Sequence, residues 1–450
     1  MTRLYVRTIF VFLSLAVTTA SANQPWVPYL VKDINQDKVG DSISHLMMMN
    51  GIMYFTASKY DSGIELWRSD GTDAGTLIVK DIMPGRDSSN INELNDNGLV
   101  ENNGEIFFVA NDGVHGFELW KSDGTEGGTV LVKDIYPGAQ RTYKPNDLVS
   151  MNGVVYFEFA TRLWRSDGTE QGTYYLSNDF FAVHNLTNIN GTLYFSARSA
   201  LLPTGHELWK SDGTAAGTEL VVDLYPGKCG GDYCGSSPSN IVNFNGLAYF
   251  TASDGVHGTS LWRSDGTAAG TYLVKAVNPV ALAGDEELIV SGGNLFFQAK
   301  NDGSSGGYNL WKSDGTESGT IPIQNFKSYL YELTGISGKL WFVANDQVHG
   351  YEPWVSDGTE SGTYMVKDID PYNNPGYFGT GGNYNYYGYG GKVYFIKSIN
   401  AGDGAGFVDS LWQSDGTQAG TDMISSNVAP KSAGMNGQFV GFNNGLYFYG

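Results

Sequence analysis

The stretch Glu-Leu-Trp-Lys-Ser-Asp-Gly-Thr at residues 118–125 decides the fold, because close copies of it recur along the whole chain. In every copy the Trp is followed, two residues later, by Ser-Asp-Gly-Thr, then by two variable residues and Gly-Thr. A unit that returns about every 40 to 50 residues indicates a repeat architecture such as a propeller or an array. The Trp residues are Trp67, Trp120, Trp164, Trp209, Trp262, Trp311, Trp354 and Trp412.

One repeat contains four strand-like segments, which we name a, b, c and d. In the fifth copy they are residues 239–244, 247–253, 259–264 and 271–276. Asn245-Gly246 separates a from b and Asp265-Gly266 separates c from d; both dipeptides are typical of tight hairpin turns. Four antiparallel strands per unit with short turns describe a β-propeller blade. We therefore expect an all-β chain with almost no helix, and consider an open solenoid the competing architecture.

The two ends of the chain carry incomplete repeats. Residues 30–34 match the d strand at residues 131–135, and residues 437–450 match an a and a b strand. These remnants complement each other, so we expect the terminal strands to meet and to close the propeller, which would leave few free sheet edges. The sequence predicts eight complete repeats; we favour a ring of eight, and nine blades remain the alternative.

The repeat resembles the bacterial ELWxxDGT-repeat family over essentially the whole chain. Full Glu-Leu-Trp strings begin at Glu65, Glu118 and Glu207, whereas the other copies drift, as in Glu352-Pro353-Trp354. The resemblance implies an exported or surface protein of β-propeller type without an established activity, and it brings no catalytic residues. The turn also looks like the Asp-box of sialidase-type propellers, although here the Trp precedes the Ser.

The N-terminus predicts a secretory signal peptide over residues 1–22. Arg3 and Arg7 flank the start, residues 9–17 are apolar, and Ala20-Ser21-Ala22 supplies a small-residue cleavage site. The remaining residues, 23–450, should form a single propeller domain in the periplasm, at the cell surface or outside the cell. No stretch approaches the roughly 20 apolar residues that a membrane helix needs, so we expect no membrane span.

The charge of the chain argues against nucleic acid as a partner. Its 47 acidic and 27 basic side chains give a formal net charge of −20, whereas nucleic-acid binding depends on a basic surface that neutralises phosphates. The two cysteines, Cys229 and Cys234, are expected to form a local disulfide after export. A metal site is the alternative, but two thiols fall short of four zinc ligands.

Residues that every repeat carries are most simply requirements of the blade. Each motif Trp could bury about 150 to 250 Å², so we interpret these Trp residues as structural rather than as sugar-stacking platforms. The motif Asp should cap its own turn; Ca²⁺ is the one cofactor considered, and a single carboxylate per turn is far from its six to eight oxygen ligands. These aspartates are Asp70, Asp123, Asp167, Asp212, Asp265, Asp314, Asp357 and Asp415.

Histidines just before strand c could suggest a shared metal ion, namely His115, His206, His257 and His349. They belong to different blades, so a common ion is geometrically implausible, and we expect no metal site. We also find no Gly-x-Ser-x-Gly nucleophile elbow, that is, no such string leading from a strand into a helical pattern, and no His-Glu-x-x-His helix. An enzyme with its site at the central channel, a hydrolase or an oxidoreductase, is therefore the alternative to a non-catalytic module that binds a protein or a glycan.

Binding is expected on the face that carries the irregular d-to-a and b-to-c links, since long loops on a rigid scaffold are where ligands usually bind. Its features are the cysteine loop at residues 226–238, the acidic residues 284–287 and the link at residues 371–391. Tyrosines mixed with Gly and Asn in that last link offer amphipathic contact area, although such a composition also occurs in disordered insertions. The predicted ligand-binding residues are Tyr372, Tyr377, Tyr384, Tyr386, Tyr387 and Tyr389.

Overall fold

A computed structural model describes residues 10–14, 29–34, 43–91, 98–138, 143–277, 288–300, 307–326, 328–369, 385–400, 407–426, 439–442 and 445–449. Within these residues every regular element is a β-strand. The eight repeats form eight four-stranded antiparallel sheets, and each sheet keeps the strand order a-b-c-d. The all-β class and the β-propeller blade with eight complete repeats are thus confirmed. The chain divides into two compact units, residues 1–176 with 428–450 and residues 177–427.

The first unit contains blades 1, 2 and 3. Strands a to d of blade 1 are Ile43–Met49, Ile52–Lys59, Gly63–Ser69 and Leu77–Lys80. Those of blade 2 are Val100–Asn102, Glu105–Asn111, Phe117–Ser122 and Val130–Leu131. Those of blade 3 are Asn146–Met151, Val154–Phe159, Arg162–Ser166 and Tyr174–Tyr175.

The same unit contains the terminal sheet, built from both chain ends. Its a and b strands are Phe439–Phe442 and Gly445–Tyr449, and its d strand is Tyr29–Leu30. The two ends share one sheet, as expected, but Tyr29–Leu30 does not pair directly with Gly445–Tyr449. Phe10–Ser14 lies between Gly445–Tyr449 and Tyr29–Leu30, in the c position. The sequence analysis did not anticipate this strand, because it assigned Phe10–Ser14 to the leader.

The second unit contains blades 4 to 8. Strands a to d are, in blade 4, Phe180–Ile189, Thr192–Ser199, His206–Ser211 and Glu219–Val222, and in blade 5, Ser239–Phe244, Leu247–Ser253, Thr259–Ser264 and Tyr272–Lys275. In blade 6 they are Ile289–Ser291, Asn294–Lys300, Tyr308–Ser313 and Ile321–Phe326, and in blade 7, Tyr331–Ile336, Lys339–Asn345, Tyr351–Ser356 and Thr363–Met365. In blade 8 they are Tyr387–Tyr389, Lys392–Asn400, Phe407–Ser414 and Asp422–Ser426.

A cross-strand Phe–Trp pair forms the centre of every complete blade. The motif Trp on strand c lies opposite a Phe on strand b in all eight, as in Phe195↔Trp209 and Phe342↔Trp354. Their rings stack with centroids 6.5 and 6.3 Å apart. Both strands are buried on both faces because neighbouring blades cover them, which explains why strand b lacks the alternation of a half-exposed strand. The motif Trp therefore belongs to the blade core.

The Ser-Asp-Gly-Thr turn is held by hydrogen bonds within itself. In blade 5, Asp265 Oδ1 accepts from the backbone N of Thr267 at 2.9 Å and from its hydroxyl at 2.7 Å. Ser264 Oγ accepts from Gly266 N and lies 2.7 Å from Thr271 Oγ1. The same bonds occur in the other seven repeats, for example at Asp123 and Asp415. The turn sequence is thus explained by the needs of the c-to-d connection.

The Glu of the Glu-Leu-Trp string joins strand c to the link that leads to the next blade. Glu207, which is fully buried, accepts from the backbone N of Leu224 at 3.1 Å and of Ser236 at 2.9 Å. Burial raises the pKa of its carboxyl to about 7. The carboxyls of Glu65 and Glu118 have the same raised pKa for the same reason. The backbone N–H groups of an irregular link have no partner in a sheet, and the glutamate carboxyl oxygens accept hydrogen bonds from them instead.

The predicted disulfide between Cys229 and Cys234 is present. It closes a small hairpin, Lys228–Cys229 with Asp232–Tyr233, on the link between blades 4 and 5. Asp232 binds the Arg198 guanidinium of strand b at 2.8 Å, and Cys234 O accepts from Gly205 N at 2.8 Å. The loop is therefore anchored to the edge of blade 4.

Candidate functional site

The a strands of successive blades contact one another within each unit, so the blades come together at this strand. Five of them contain a bulge in which a residue other than Gly takes positive φ. A bulge inserts one residue and turns its side chain out of the regular alternation. The sequence analysis did not single out these residues. They are His45, Asp147, Asn185, Asn240 and Glu332.

In the second unit, two bulge residues are joined to the a strand of the next blade. Asn185 Nδ2 donates to Pro238 O at 3.2 Å, and Glu332 Oε2 accepts from Asn385 N at 2.5 Å. These bonds fix the spacing between neighbouring a strands. The junction of blades 7 and 8, where Glu332 meets Asn385, adjoins the site described next.

A groove of about 500 Å³ lies between the a strands of blades 7 and 8. Residues 334–337 form one wall and residues 386–391 the other, so the groove opens at the ends of these strands and their a-to-b turns. Its lining includes three tyrosines, Thr334, Ser337 and several glycines; the tyrosines are Tyr386, Tyr387 and Tyr389. It therefore lies at the tight-turn ends of the strands, opposite to the link ends where binding was expected.

The alternation of strand a separates the predicted tyrosines. Tyr387 and Tyr389 are two residues apart, lie on one side of the strand and are half-buried. Tyr386 points the other way: it is 7% exposed, and its ring lies 5.6 Å from that of Trp341 and 5.5 Å from that of Phe395. Its hydroxyl donates to Phe342 O at 3.1 Å. Tyr386 therefore packs in the core while also bordering the groove, and its role as a ligand contact stays a prediction.

Glycine lets the a strand of blade 7 lie close to the a strands of both neighbouring blades, blade 8 at Gly388 and blade 6 at Gly335. A Cβ at Gly388 would lie 2.5 Å from Ile336 Cγ2, and one at Gly335 would lie 2.8 Å from the carbonyl oxygen of Val290. Both distances are too short for a side chain, so each Gly permits an approach that no other residue would. Gly388, one of the glycines of the link at residues 371–391, thus has a packing role.

The groove offers a neutral, amphipathic surface. Its lining residues combine tyrosines with the hydroxyl-bearing Thr334 and Ser337 and with glycines. Burial raises the pKa of Tyr389, and the neighbouring Tyr387 adds to the effect, so its phenol stays protonated at neutral pH. No carboxylate, histidine, lysine or arginine occurs among the described residues that line the groove. This chemistry suits hydrogen bonding and ring stacking better than acid–base catalysis.

The remaining predictions concern other residues of the chain. Tyr372, Tyr377 and Tyr384 lie outside the described residues, as do the acidic residues 284–287. The motif Trp and Asp residues are occupied in the blade core and in the turns described above. Three of the histidines bind an Asp three residues earlier through Nδ1, at 2.6 Å in His115–Asp112 and 2.7 Å in His349–Asp346. Each such pair stays within its own blade.

The described part of the chain contains no group of three or more His, Cys, Asp or Glu side chains placed to hold a metal ion. Among these same residues, none forms a helix with the length and hydrophobicity that crossing a membrane requires.

No family model matches the chain, and no curated protein matches it. Among solved structures, it is similar to the computationally designed Ika8 protein, with 13% identity, a TM-score of 0.43 and coverage of 78% of this chain and 94% of that one. It is also similar to a puromycin hydrolase (14%, TM-score 0.41) and to prolyl oligopeptidase B from Galerina marginata (10%, TM-score 0.40). These matches cover 84% and 83% of this chain but only 59% and 55% of the two enzymes. Likeness at this level carries no inference about activity.

Proposed function

We propose that the protein is an exported, non-catalytic binding module that holds a glycan in the groove between blades 7 and 8. The observation that carries this proposal is the pair Tyr387 and Tyr389 on one side of a strand, in a groove of about 500 Å³. That volume lies within the usual range of small-ligand sites. A sugar ring presents an apolar face to an aromatic side chain and hydroxyls to backbone amides, which are the two surfaces the groove provides.

Export rests on the leader predicted for residues 1–22 and is supported by the disulfide, since such bonds persist in oxidising compartments. Mass spectrometry of the protein recovered from the periplasm or the medium of a bacterial host should show an N-terminus near Asn23. A chain that stays inside the cell with Met1 intact would contradict export without bearing on the groove.

A glycan array probed with the whole chain tests the binding proposal. We expect a small set of neutral glycans to bind, and Tyr389→Ala to abolish that binding at unchanged melting temperature. Tyr174→Ala is the matched control, because Tyr174 is a 44% exposed tyrosine in a different blade. Binding that survives Tyr389→Ala, or that is lost equally in Tyr174→Ala, would exclude the groove as the site.

A further inference from the structure

The terminal sheet differs from the eight complete blades in the origin of its c strand. In blades 1 to 8 this strand carries the motif Trp and is paired on both sides by strands of its own repeat. In the terminal sheet the c position holds Phe10–Ser14, which pairs with Gly445–Tyr449 on one side and with Tyr29–Leu30 on the other. Phe10–Ser14 belongs to the predicted leader.

Removal of the leader would leave an opening in this sheet. Neighbouring strands lie about 4.8 Å apart, so the b and d strands of the terminal sheet would be separated by about 10 Å, the width that one strand fills. Gly445–Tyr449 would then present unpaired N–H and C=O groups, an arrangement that favours pairing with another strand. Its Leu446, Tyr447 and Phe448 are at most 5% exposed while the c position is filled.

The register shows which side chain the opening lacks. Each complete blade places a Trp opposite the b-strand Phe, whereas Phe448 lies opposite Val11. On the other side of the c position, Val11 pairs with Leu30 as Trp120 pairs with Leu131. Phe448 contacts Phe439 at 5.6 Å between centroids. A strand with Leu-Trp in this register would restore the Phe–Trp pair that all eight other sheets share.

We infer that the exported protein binds, in the c position of the terminal sheet, an extended Glu-Leu-Trp-type strand supplied by another polypeptide. The inference rests on the proposed export, which removes the strand now in that position. The partner's strand runs antiparallel to Gly445–Tyr449 and sets its Trp against Phe448. This is strand addition, in which backbone hydrogen bonds give affinity and one anchoring side chain gives selectivity.

The partner must carry a copy of the motif that is not already paired. The c strands of the eight complete blades are each bound on both sides, so an intact second copy of this chain has none of them to donate. A protein with an incomplete repeat, or with the motif in an unstructured tail, meets the requirement.

Fluorescence anisotropy with a labelled peptide of residues 116–125 tests the inference. Exported chain whose N-terminus has been verified should bind this peptide and should bind the same peptide carrying Trp120→Ala at least about tenfold more weakly, as for an anchoring aromatic. Full-length chain with the leader retained should not bind, since Phe10–Ser14 holds the position. An unlabelled peptide of residues 8–16 should compete.

Several outcomes would overturn the inference: equal binding to the leader-bearing and exported chains, indifference to the Trp substitution, or exported chain that dimerises and binds no peptide. Phe448→Ala should weaken peptide binding. Because this substitution could also destabilise the terminal sheet, the melting curve of the variant is measured as well. If the variant is unfolded, the competition experiment with the peptide of residues 8–16 decides instead. If the exported chain retains Met1, the export proposal fails. A chain cut after Ala22 at an inserted protease site then still tests the strand.

Discussion

The c-to-d turn and the groove between blades 7 and 8 both contain Ser, Thr and Gly residues, but these residues have different roles in the two regions. The turn occurs eight times, and its Asp, Ser and Thr side chains bind one another or the backbone of their own turn. The groove lies at the junction of blades 7 and 8, where Tyr387 and Tyr389 belong to strand a of blade 8. Residues that recur in every repeat maintain the blade. We therefore look for ligand contacts among residues that are particular to one junction, such as Tyr387 and Tyr389.

The largest difference between the two regions should appear in stability. Trp209 is 5% exposed, stacks on Phe195 and donates from Nε1 to Ala197 O at 3.1 Å. Trp209→Ala should lower the free energy of unfolding by about 3 to 5 kcal/mol, the usual cost of a large-to-small change in a core. Tyr272→Ala, at a 46% exposed strand position, should change it by less than about 0.5 kcal/mol. Chemical denaturation measures both, and similar losses would refute a structural role specific to the motif Trp.

A smaller effect is expected at the turn itself. Hydrogen bonds from Thr267 hold the pKa of Asp265 below its usual range. Asp265→Ala removes two acceptor contacts and should cost about 1 kcal/mol, without changing glycan binding. Loss of binding with unchanged stability would show that the repeated turn, and not the groove, contacts the ligand.

The pH dependence of stability should reflect the buried glutamates. The pKa of Glu207 is about 7 in the folded protein, above the value of about 4.3 expected when it is unfolded. The stabilisation of the fold by this group is therefore complete below the pKa of the unfolded state and is lost as the pH rises through 7. The melting temperature of the wild type should fall between pH 5 and pH 8, and Glu207→Gln should reduce this fall. An identical pH profile in the variant would contradict the assignment.

The sequence predicted the blades well because their signals are local. The first three strands of blade 5 have the predicted bounds, and Asn245 has the positive φ that its Asn-Gly turn requires. The fourth strand is one residue shorter at each end. The disulfide was predicted for the same reason, since Cys229 and Cys234 are close in sequence.

The site was predicted less well, because it depends on strand parity and on contacts between repeats. Tyr386 and Tyr387 look alike in the sequence and both border the groove, yet Tyr386 is buried in the core whereas Tyr387 is only half-buried. The two-residue period of a strand could have separated them if the start of strand a had been known. The bulge at Glu332 gives no sequence signal, since a residue other than Gly adopts positive φ there. The sequence analysis did not predict the strand Phe10–Ser14, because it assigned these residues to a leader, which is expected to be removed and to take no part in the fold.

The central claim, that one side of the strand at residues 386–389 binds ligand and the other maintains the core, is tested most directly by calorimetry with a glycan identified on the array. The titration compares the wild type, the double variant Tyr387→Ala/Tyr389→Ala, and Tyr386→Phe, which removes only the hydroxyl bound to Phe342 O. We predict that the double variant loses binding at unchanged melting temperature. Tyr386→Phe should keep full affinity while its stability falls by about 1 kcal/mol. Reduced affinity in Tyr386→Phe, with binding retained in the double variant, would contradict the account.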